Sequence, residues 1–346
     1  MTIATPLHRI AACALVAGFG VSFHAAAQPA SSFDKGSEGA GQAASTSAGQ
    51  AYPTKPVRVI VPFAPGGGTD VIARMIAPRL SQEFGQHFVV DNRGGAGGTL
   101  GTDIVVRAEP DGYTVGLVAS SYATAPTFYR LPYDPIKGIA PISMTDAGPF
   151  ILAVHPSLKA TNVKEFIALA RARPGTLNYG SSGTGGTLHL VGELFGQMTR
   201  TDTVHIPYKG TGPAVVDLIG GQIQFIFANG PSVLPHIKAG KLRGIAVTTE
   251  RPSALMPDLP TVSELVPGFL AITWHGMLAP VGTPKAIVER LNQTLARILK
   301  QPDLQDVLHR QGLEPVHTTP GEFARVIAED IARWSKVVKV GNIKLN

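Results

Sequence analysis

Segments with two different hydrophobic periods alternate along the chain, and glycine-rich loops separate them. The run Val57–Val61 is mostly β-branched and has the length of a buried strand. After the loop Pro62–Gly68, apolar residues recur at helical spacing from Ile72 to Leu80, and Gly85 then favours the end of a helix. The pattern therefore predicts a strand, a glycine loop and a helix, in that order.

The same order of strand, glycine loop and helix continues in this first unit, and it is repeated in a second unit after residue 175. In the first unit the loop Gly94–Gly98 leads into another helix, and a third apolar run ends at Ser120. In the second unit the loops Gly180–Gly186 and Tyr208–Pro213 each follow an apolar run. The two loops of a unit lie 28 residues apart in the first and 27 in the second. We therefore expect an α/β fold with two similar βαβαβ units.

Two further apolar runs are predicted to join these units. Phe150–Val154 would cross from the first to the second, and residues 272–278 would return. The tail that follows is predicted to be mostly helical and to pack on the first unit. The predicted domains are thus residues 52–149 with 272–346 as lobe I, and residues 150–271 as lobe II.

The amino-terminal segment has the pattern of a cleaved export signal over residues 1–27. An apolar stretch from Ile10 to Phe23 precedes three alanines, and its ~14 residues fall short of the ~20 that span a bilayer. Residues 28–51 are rich in Ser, Gly, Ala and Gln and predict a flexible tether. Cleavage would remove Cys13, the single cysteine, so the mature chain would have no disulfide, thiolate catalyst or cysteine metal site.

The net charge of the chain and its distribution indicate which classes of partner the protein can bind. The 346 residues carry a formal net charge of +6 without a run of basic residues, which argues against nucleic acid. A mild positive excess suits a small anionic ligand.

The glycine loops themselves are the candidate binding elements. Strand-to-helix loops gather at one edge of a parallel sheet, and the first N–H groups of a helix lack intrahelical partners. Glycine lets the backbone approach a ligand, so such loops can hold an anion without an arginine. A single loop of this kind is more simply a chain turn, but four at corresponding places predict a ligand cleft.

Signatures of cofactor, metal and nucleophile sites are missing from the sequence. Val71 and Leu188 stand where a dinucleotide-binding fingerprint requires glycine. Thr184 breaks a nucleophile elbow at Ser182, and the histidines show no metal-ligand spacing. We therefore expect no cofactor, no metal and no catalytic residue.

Several side chains beside the loops have two interpretations. Phe63 and Tyr208 would lie against the ligand body, although core packing is an equal alternative for Phe63. His189 would face either the cleft or the neighbouring loop. Asp70 suits a helix start, where it would orient the loop rather than touch an anion. Trp274 is expected to be buried on the returning run.

At this point the sequence resembles the substrate-binding receptors of tripartite tricarboxylate transporters, the Bug family. The resemblance covers nearly all of the chain from Tyr52 onward. The motifs that carry it are VIVPFAPGGGTD (59–70), DNRGGAGG (91–98), NYGSSGTGG (178–186), HIPYKG (205–210), LPTVSE (259–264) and LAPVGTP (278–284).

The resemblance implies a two-lobed periplasmic binding protein of type II, a "Venus flytrap", in a Gram-negative bacterium. It implies that a small carboxylate is bound between the lobes and delivered to membrane subunits of a transporter, and we expect a monomer. The motif positions and the topology together predict these ligand-binding residues: Phe63, Gly67, Gly68, Thr69, Asp70, Ser120, Ser121, Ser181, Ser182, Gly183, Thr184, His189, Tyr208 and Lys209.

Two other classes of protein stay open from the residues alone. An enzyme of the α/β hydrolase or isomerase type would use His189 or Ser182. A periplasmic sensor would share the fold and act on a signalling partner. Dicarboxylates, aromatic acids and amino acids all fit as ligands.

Overall fold

Ten strands form one continuous sheet in the part of the chain that the computed structural model describes, residues 52–341 and 343. The predicted export signal and tether lie outside these described residues. The strands are β1 (Val57–Val61), β2 (Phe88–Asn92), β3 (Thr114–Ala119), β4 (Ile139–Val154), β5 (Asn178–Ser181), β6 (Val204–Pro207), β7 (Phe225–Asn229), β8 (Arg243–Val247), β9 (Ile272–Pro280) and β10 (Glu314–Pro315).

Helices follow most of the strands and cover the sheet. They are α1 (Gly68–Phe84), α2 (Thr99–Val106), α3 (Ser121–Thr124), α4 (Val163–Ala172), α5 (Thr187–Thr199), α6 (Thr211–Ile219), α7 (Gly230–Lys238), α8 (Lys285–Ile298), α9 (Pro302–Arg310) and α10 (Pro320–Gly341). None of the helices in the described residues is long and apolar enough to cross a membrane.

The sheet contains two parallel trios of strands with the same order. One trio runs β2-β1-β3 and the other β6-β5-β7, and the antiparallel strands β9 and β4 lie side by side between them. This confirms the two βαβαβ units and the two joining strands. We call the part built on β1, β2 and β3 the first lobe, the part built on β5, β6 and β7 the second lobe, and β4 and β9 the crossing strands.

The first crossing strand is longer than the sequence predicted. Phe150–Val154 is only its last part, because β4 begins at Ile139 and has 16 residues. Proline interrupts the apolar pattern at Pro141 and Pro149, which hides the strand from a periodicity argument. Register shifts at Pro141/Ser143 and Met144/Asp146 accommodate the irregular part.

The helical tail packs mainly on the first lobe, as predicted, but its last helix reaches further. α8 and α9 contribute to the cluster of buried residues under β1 and β3. Phe323 of α10 packs edge-on against Trp274, whose buried packing is thereby confirmed. Trp334, three turns further along α10, lies in a second-lobe cluster with Phe166 and Phe195. The apolar stripe predicted the helix, but not which lobe each turn would contact.

We predict that the substitution Gly276→Ala destabilises the fold, because the added methyl group would push α10 away from β9. A Cβ at this position would overlap the buried ring of Phe323. Overpacking of this kind typically costs about 1–3 kcal/mol of unfolding free energy, which urea denaturation measures.

Gly321→Ala in α10 is the matched control, because a Cβ there meets no atom within 4 Å. It should leave the stability unchanged or raise it slightly. Equal unfolding midpoints for the wild type and Gly276→Ala would contradict this account of the packing.

Candidate functional site

A small cavity of about 30 Å³ lies where the carboxyl ends of the two strand trios meet. It is lined by fourteen residues from both lobes and the crossing strands. Seven of the predicted ligand-binding residues are among them: Phe63, Gly67, Gly68, Thr69, Ser120, Ser121 and Ser182. Three of the four glycine loops that the sequence singled out therefore converge on one space, and the loop Gly94–Gly98 lies outside its wall.

Three helices begin beside this cavity without a side chain to cap them. The N-cap residues of α1, α5 and α6 are Gly67, Gly186 and Gly210, and none provides a side-chain hydrogen bond. In contrast, Asn162 caps α4 by accepting a hydrogen bond from the Glu165 amide at 2.9 Å. Because glycine has no side chain, the first N–H groups of the three helices keep the capacity to bind an anion.

Hydroxyl groups add donors around the same space. The hydroxyls of Thr69, Ser182, Thr211 and Thr273 belong to buried residues, yet make no hydrogen bond to any described residue. None of the fourteen lining residues carries a charged side chain. The cavity therefore offers neutral donors and the positive ends of helix dipoles, which together suit a negatively charged group.

Asp70 lies behind the first loop rather than in the cavity wall. Its carboxylate accepts hydrogen bonds from the Gly66 amide at 2.9 Å, Arg74 at 3.0 Å and Asn92 at 3.0 Å. Burial alone would raise the pKa of Asp70, but these hydrogen bonds outweigh it and hold the pKa below its ordinary value. An ionised Asp70 thus orients the first glycine loop.

The glycine loops of the two lobes touch each other directly. The Ala64 amide donates to the Lys209 carbonyl at 2.9 Å. A Cβ on Gly183 would come within 2.8 Å of the Gly97 nitrogen, and one on Gly212 would overlap the Pro65 carbonyl oxygen. Glycine is therefore required here for close approach between lobes as well as for exposing N–H groups.

A second set of contacts fixes the loop after β5 to the first lobe. Tyr129 donates its hydroxyl hydrogen to the Thr184 carbonyl at 2.7 Å, and Thr124 donates to the Gly185 carbonyl at 3.0 Å. The Thr184 and Gly185 carbonyls are thereby engaged, and the Gly183, Gly185 and Gly186 amides donate to groups within the second lobe. The Ser182 hydroxyl is the group that this loop presents to the cavity.

Two stacked histidines support the same loop from the second lobe. The rings of His189 and His205 lie 3.7 Å apart and nearly parallel. His189 Nδ1 accepts a hydrogen bond from the Gly185 amide at 3.1 Å, and His205 Nε2 lies 2.6 Å from Ser181 Oγ. Burial lowers the pKa of His189 to about 4, and burial together with its neighbour lowers the pKa of His205 to about 3. Both rings are therefore neutral near pH 7, and His189 faces the loop.

Seven predicted residues lie outside the cavity wall: Asp70, Ser181, Gly183, Thr184, His189, Tyr208 and Lys209. Tyr208 donates to Asp217 at 2.7 Å, and Lys209 contributes its carbonyl to the contact between lobes. In this arrangement they hold the loops in place, and direct contact with a ligand stays a prediction for them.

The sequence argument missed seven lining residues: Ala119, Phe150, Thr187, Leu188, Thr211, Asn229 and Thr273. Thr187 and Thr211 start helices after glycine loops, so the signal that selected Thr69 would have found them. Phe150, Asn229 and Thr273 come from the crossing strands and the end of β7. No local pattern marks these three, because only the sheet topology brings them to the cavity.

Within residues 52–341 and 343, no group of three or more His, Cys, Asp or Glu side chains is arranged to hold a metal ion. The candidate site consists of backbone amides, hydroxyls, the Asn229 side-chain amide and apolar walls.

Comparison with known proteins agrees with this geometry. The family model described as "Tripartite tricarboxylate transporter family receptor" matches residues 72–343. The chain belongs to this receptor family. Protein BugT of Bordetella pertussis is 40% identical over 310 residues, which are 88% of this chain and 95% of BugT.

Solved structures of Bug-type proteins share the fold. The periplasmic binding protein BugD is 34% identical with a TM-score of 0.82, over 85% of this chain and 99% of BugD. R. palustris Rpa4515, solved with adipate, is 39% identical with a TM-score of 0.82, over 84% of this chain and 99% of Rpa4515. The chain is thus a two-lobed binding protein of the Bug family and a solute-binding receptor, not a hydrolase-type enzyme.

We predict that acid destabilises the folded protein through His189 and that His189→Asn reduces this effect. The unfolded chain takes up a proton near pH 6.5, whereas the folded ring resists protonation until about pH 4. Stability is therefore complete above pH 6.5 and falls as the pH is lowered toward 4. Between pH 7 and 5 the wild type should lose about 1–2 kcal/mol more unfolding free energy than His189→Asn, whose amide oxygen replaces the Nδ1 acceptor.

Urea denaturation at several pH values measures this difference. Burial raises the pKa of the nearby Glu193 and lowers that of the stacked His205, and both groups titrate in both proteins, so the difference between the two pH profiles reports mainly on His189. The exposed His87 provides the control variant His87→Asn, which should follow the wild type. Parallel pH profiles for the wild type and His189→Asn would show that the buried ring does not control acid stability.

Proposed function

We propose that this receptor captures a small carboxylate between its lobes and delivers it to the membrane subunits of a tripartite tricarboxylate-type transporter. One observation supports this above the others: uncapped, glycine-started helices from both lobes point at a cavity without charged side chains. A carboxylate supplies the acceptors that these N–H groups lack.

The affinity follows from the hydrogen bonds that such a site offers. A hydrogen bond to a charged group contributes roughly 1.5–3 kcal/mol. Four or five of these bonds are enough to reach a binding free energy of about 8 kcal/mol, which corresponds to micromolar affinity. Phe63, Phe150 and Leu188 form apolar parts of the wall, which suits the carbon skeleton of an organic acid.

The relatives support the same class of ligand and setting. Rpa4515 was solved with adipate, and BugD is a periplasmic binding protein. We therefore propose that this chain also acts in the periplasm, after removal of the predicted signal over residues 1–27. The family description supports a transporter as the partner.

Closure of two lobes is the proposed mechanism of capture. The lobes would comprise residues 52–149 with 272–346, and residues 150–271, with the crossing strands as the hinge. A ligand that contacts both lobes stabilises the closed form by the additional contacts it makes there. The membrane partner would recognise this closed form.

We expect the protein to bind at least one organic acid and to leave it chemically unchanged. The test is a thermal-shift series with adipate, succinate, malate, nicotinate, terephthalate and glutamate, followed by calorimetric titration. At a hundredfold excess over Kd, binding adds about 2.7 kcal/mol of stability, so Tm should rise by roughly 4 °C.

Adipamide is the matched control for adipate, because it has the same carbon chain without the charge. It should produce no shift in Tm. The proposal fails if no acid in the series raises Tm, or if chromatography shows that a bound acid is consumed.

We predict that Gly212→Ala weakens acid binding because it holds the lobes apart. The residue does not adopt a left-handed conformation, so alanine fits its backbone, but the new Cβ would overlap the Pro65 carbonyl oxygen of the opposite lobe. Calorimetric titration with adipate should show a Kd at least tenfold higher than in the wild type.

Gly220→Ala at the other end of α6 is the control, since its Cβ would make only ordinary contacts at 3.5 Å or more. It should bind adipate like the wild type. Unchanged affinity in Gly212→Ala would mean that close approach of these loops is not needed for capture.

A further inference from the structure

A chain of buried polar side chains runs through the crossing strands to the cavity wall, outside the glycine loops. Asp146 of β4 and His275 of β9 face each other in the register of the two strands and are completely buried. His275 Nδ1 lies 2.7 Å from Asp146 Oδ1. A buried pair of this kind adds little net stability compared with apolar residues, so its position next to the cavity is its more informative property.

The backbone at Asp146 is arranged to fix the carboxylate. The register of β4 and β9 shifts between Met144 and Asp146, which leaves Thr145 as the additional residue. Such bulges redirect side chains, and Thr145 donates its hydroxyl hydrogen to Asp146 Oδ2 at 2.8 Å. Both carboxylate oxygens therefore have a donor, and the orientation of His275 is determined from the Asp146 side.

The second ring nitrogen of His275, Nε2, is directed at Asn229, the last residue of β7 and the N-cap of α7. The Asp146 carboxylate only accepts hydrogen bonds, so His275 donates to it from Nδ1, and in this tautomer Nε2 is an acceptor. The amide nitrogen of Asn229 therefore faces the ring, with Nδ2 at 3.5 Å from Nε2. The Ser232 hydroxyl, which can donate, lies 2.7 Å from Asn229 Oδ1 and fits this orientation.

Asn229 is also part of the cavity wall. Its amide lies against the start of α1, since a Cβ on Gly68 would overlap it. An amide nitrogen carries two hydrogens. One is directed to His275, and the second remains beside the uncapped first turn of α1, where the candidate site collects its donors.

We propose that Asn229 donates a hydrogen bond to the ligand carboxylate, and that His275 and Asp146 are positioning residues that hold its amide in the donating orientation. This extends the proposed function, because it takes the occupant of the cavity to be a carboxylate. We call Asp146, His275 and Asn229 the relay. Its residues come from the second lobe and from both crossing strands, so they link the binding site to the proposed hinge.

Two substitutions of His275 test its contact with Asn229 and its contact with Asp146 separately. Gln places its amide near the Nε2 position and keeps an acceptor for Asn229, whereas Asn places its amide near Nδ1 and keeps only the contact with Asp146. In calorimetric titrations with adipate, Asn229→Ala and His275→Asn should each raise Kd by 10- to 100-fold. His275→Gln should restore most of the affinity that His275→Asn loses.

The free energy of unfolding is measured without adipate for each variant, because a purely structural role would make affinity follow stability. The relay instead requires His275→Asn to bind more weakly than His275→Gln at equal stability. The exposed His87→Asn variant should bind like the wild type. Wild-type affinity in Asn229→Ala, or equal affinity in the two His275 variants, would overturn the proposal.

A second measurement does not depend on any ligand. In ¹⁵N NMR spectra of the full chain with labelled histidine, the His275 signals, assigned by their loss in His275→Gln, should show hydrogen on Nδ1 and a free Nε2. Asn229→Ala should shift the Nε2 resonance. If the wild type binds none of the acids, the proposed function fails. The spectrum still tests the relay in that case, because a hydrogen on Nε2 of His275 would rule it out.

Discussion

The structure depends on backbone N–H groups at helix starts that have no partner within their own helix. Gly67, Gly186 and Gly210 occupy the position at which α4 has the capping side chain of Asn162. Glycine in place of a capping side chain typically costs a helix only a few tenths of a kcal/mol. The fold tolerates three such starts at one place because large aromatic clusters and a ten-stranded sheet stabilise the surrounding structure.

The same glycines have a second consequence. Because they lack side chains, loops from opposite lobes approach until backbone meets backbone, as Gly97 and Gly183 do. Donors from both lobes then surround one small space instead of two separate surfaces. Polar side chains are used mostly behind the loops: Asp70 holds the first loop, and His189 and His205 hold the loop after β5. This division keeps the cavity free of fixed charge while its walls stay ordered.

Much of the candidate site could be predicted because its signal is local. A glycine loop between a strand and a helix places its amides at the sheet edge whatever the rest of the chain does, so Gly68, Thr69 and Ser182 were found. Thr273 and Asn229 carry no such mark. They reach the cavity from strands whose neighbours are more than forty residues away in sequence, and their roles depend on pairing partners such as His275 and Asp146.

Hydrophobic periodicity and glycine placement alone determined the two βαβαβ units, their loops and the joining runs, since each reflects an interaction between residues close in the chain. Tertiary structure decided the rest. It extended β4 through its prolines by pairing it with β9, assigned the last turns of α10 to the second lobe, and turned Asp70 and His189 away from the cavity wall. The physical reason is that burial and hydrogen-bond partners of these groups come from distant segments, whose approach no local pattern encodes.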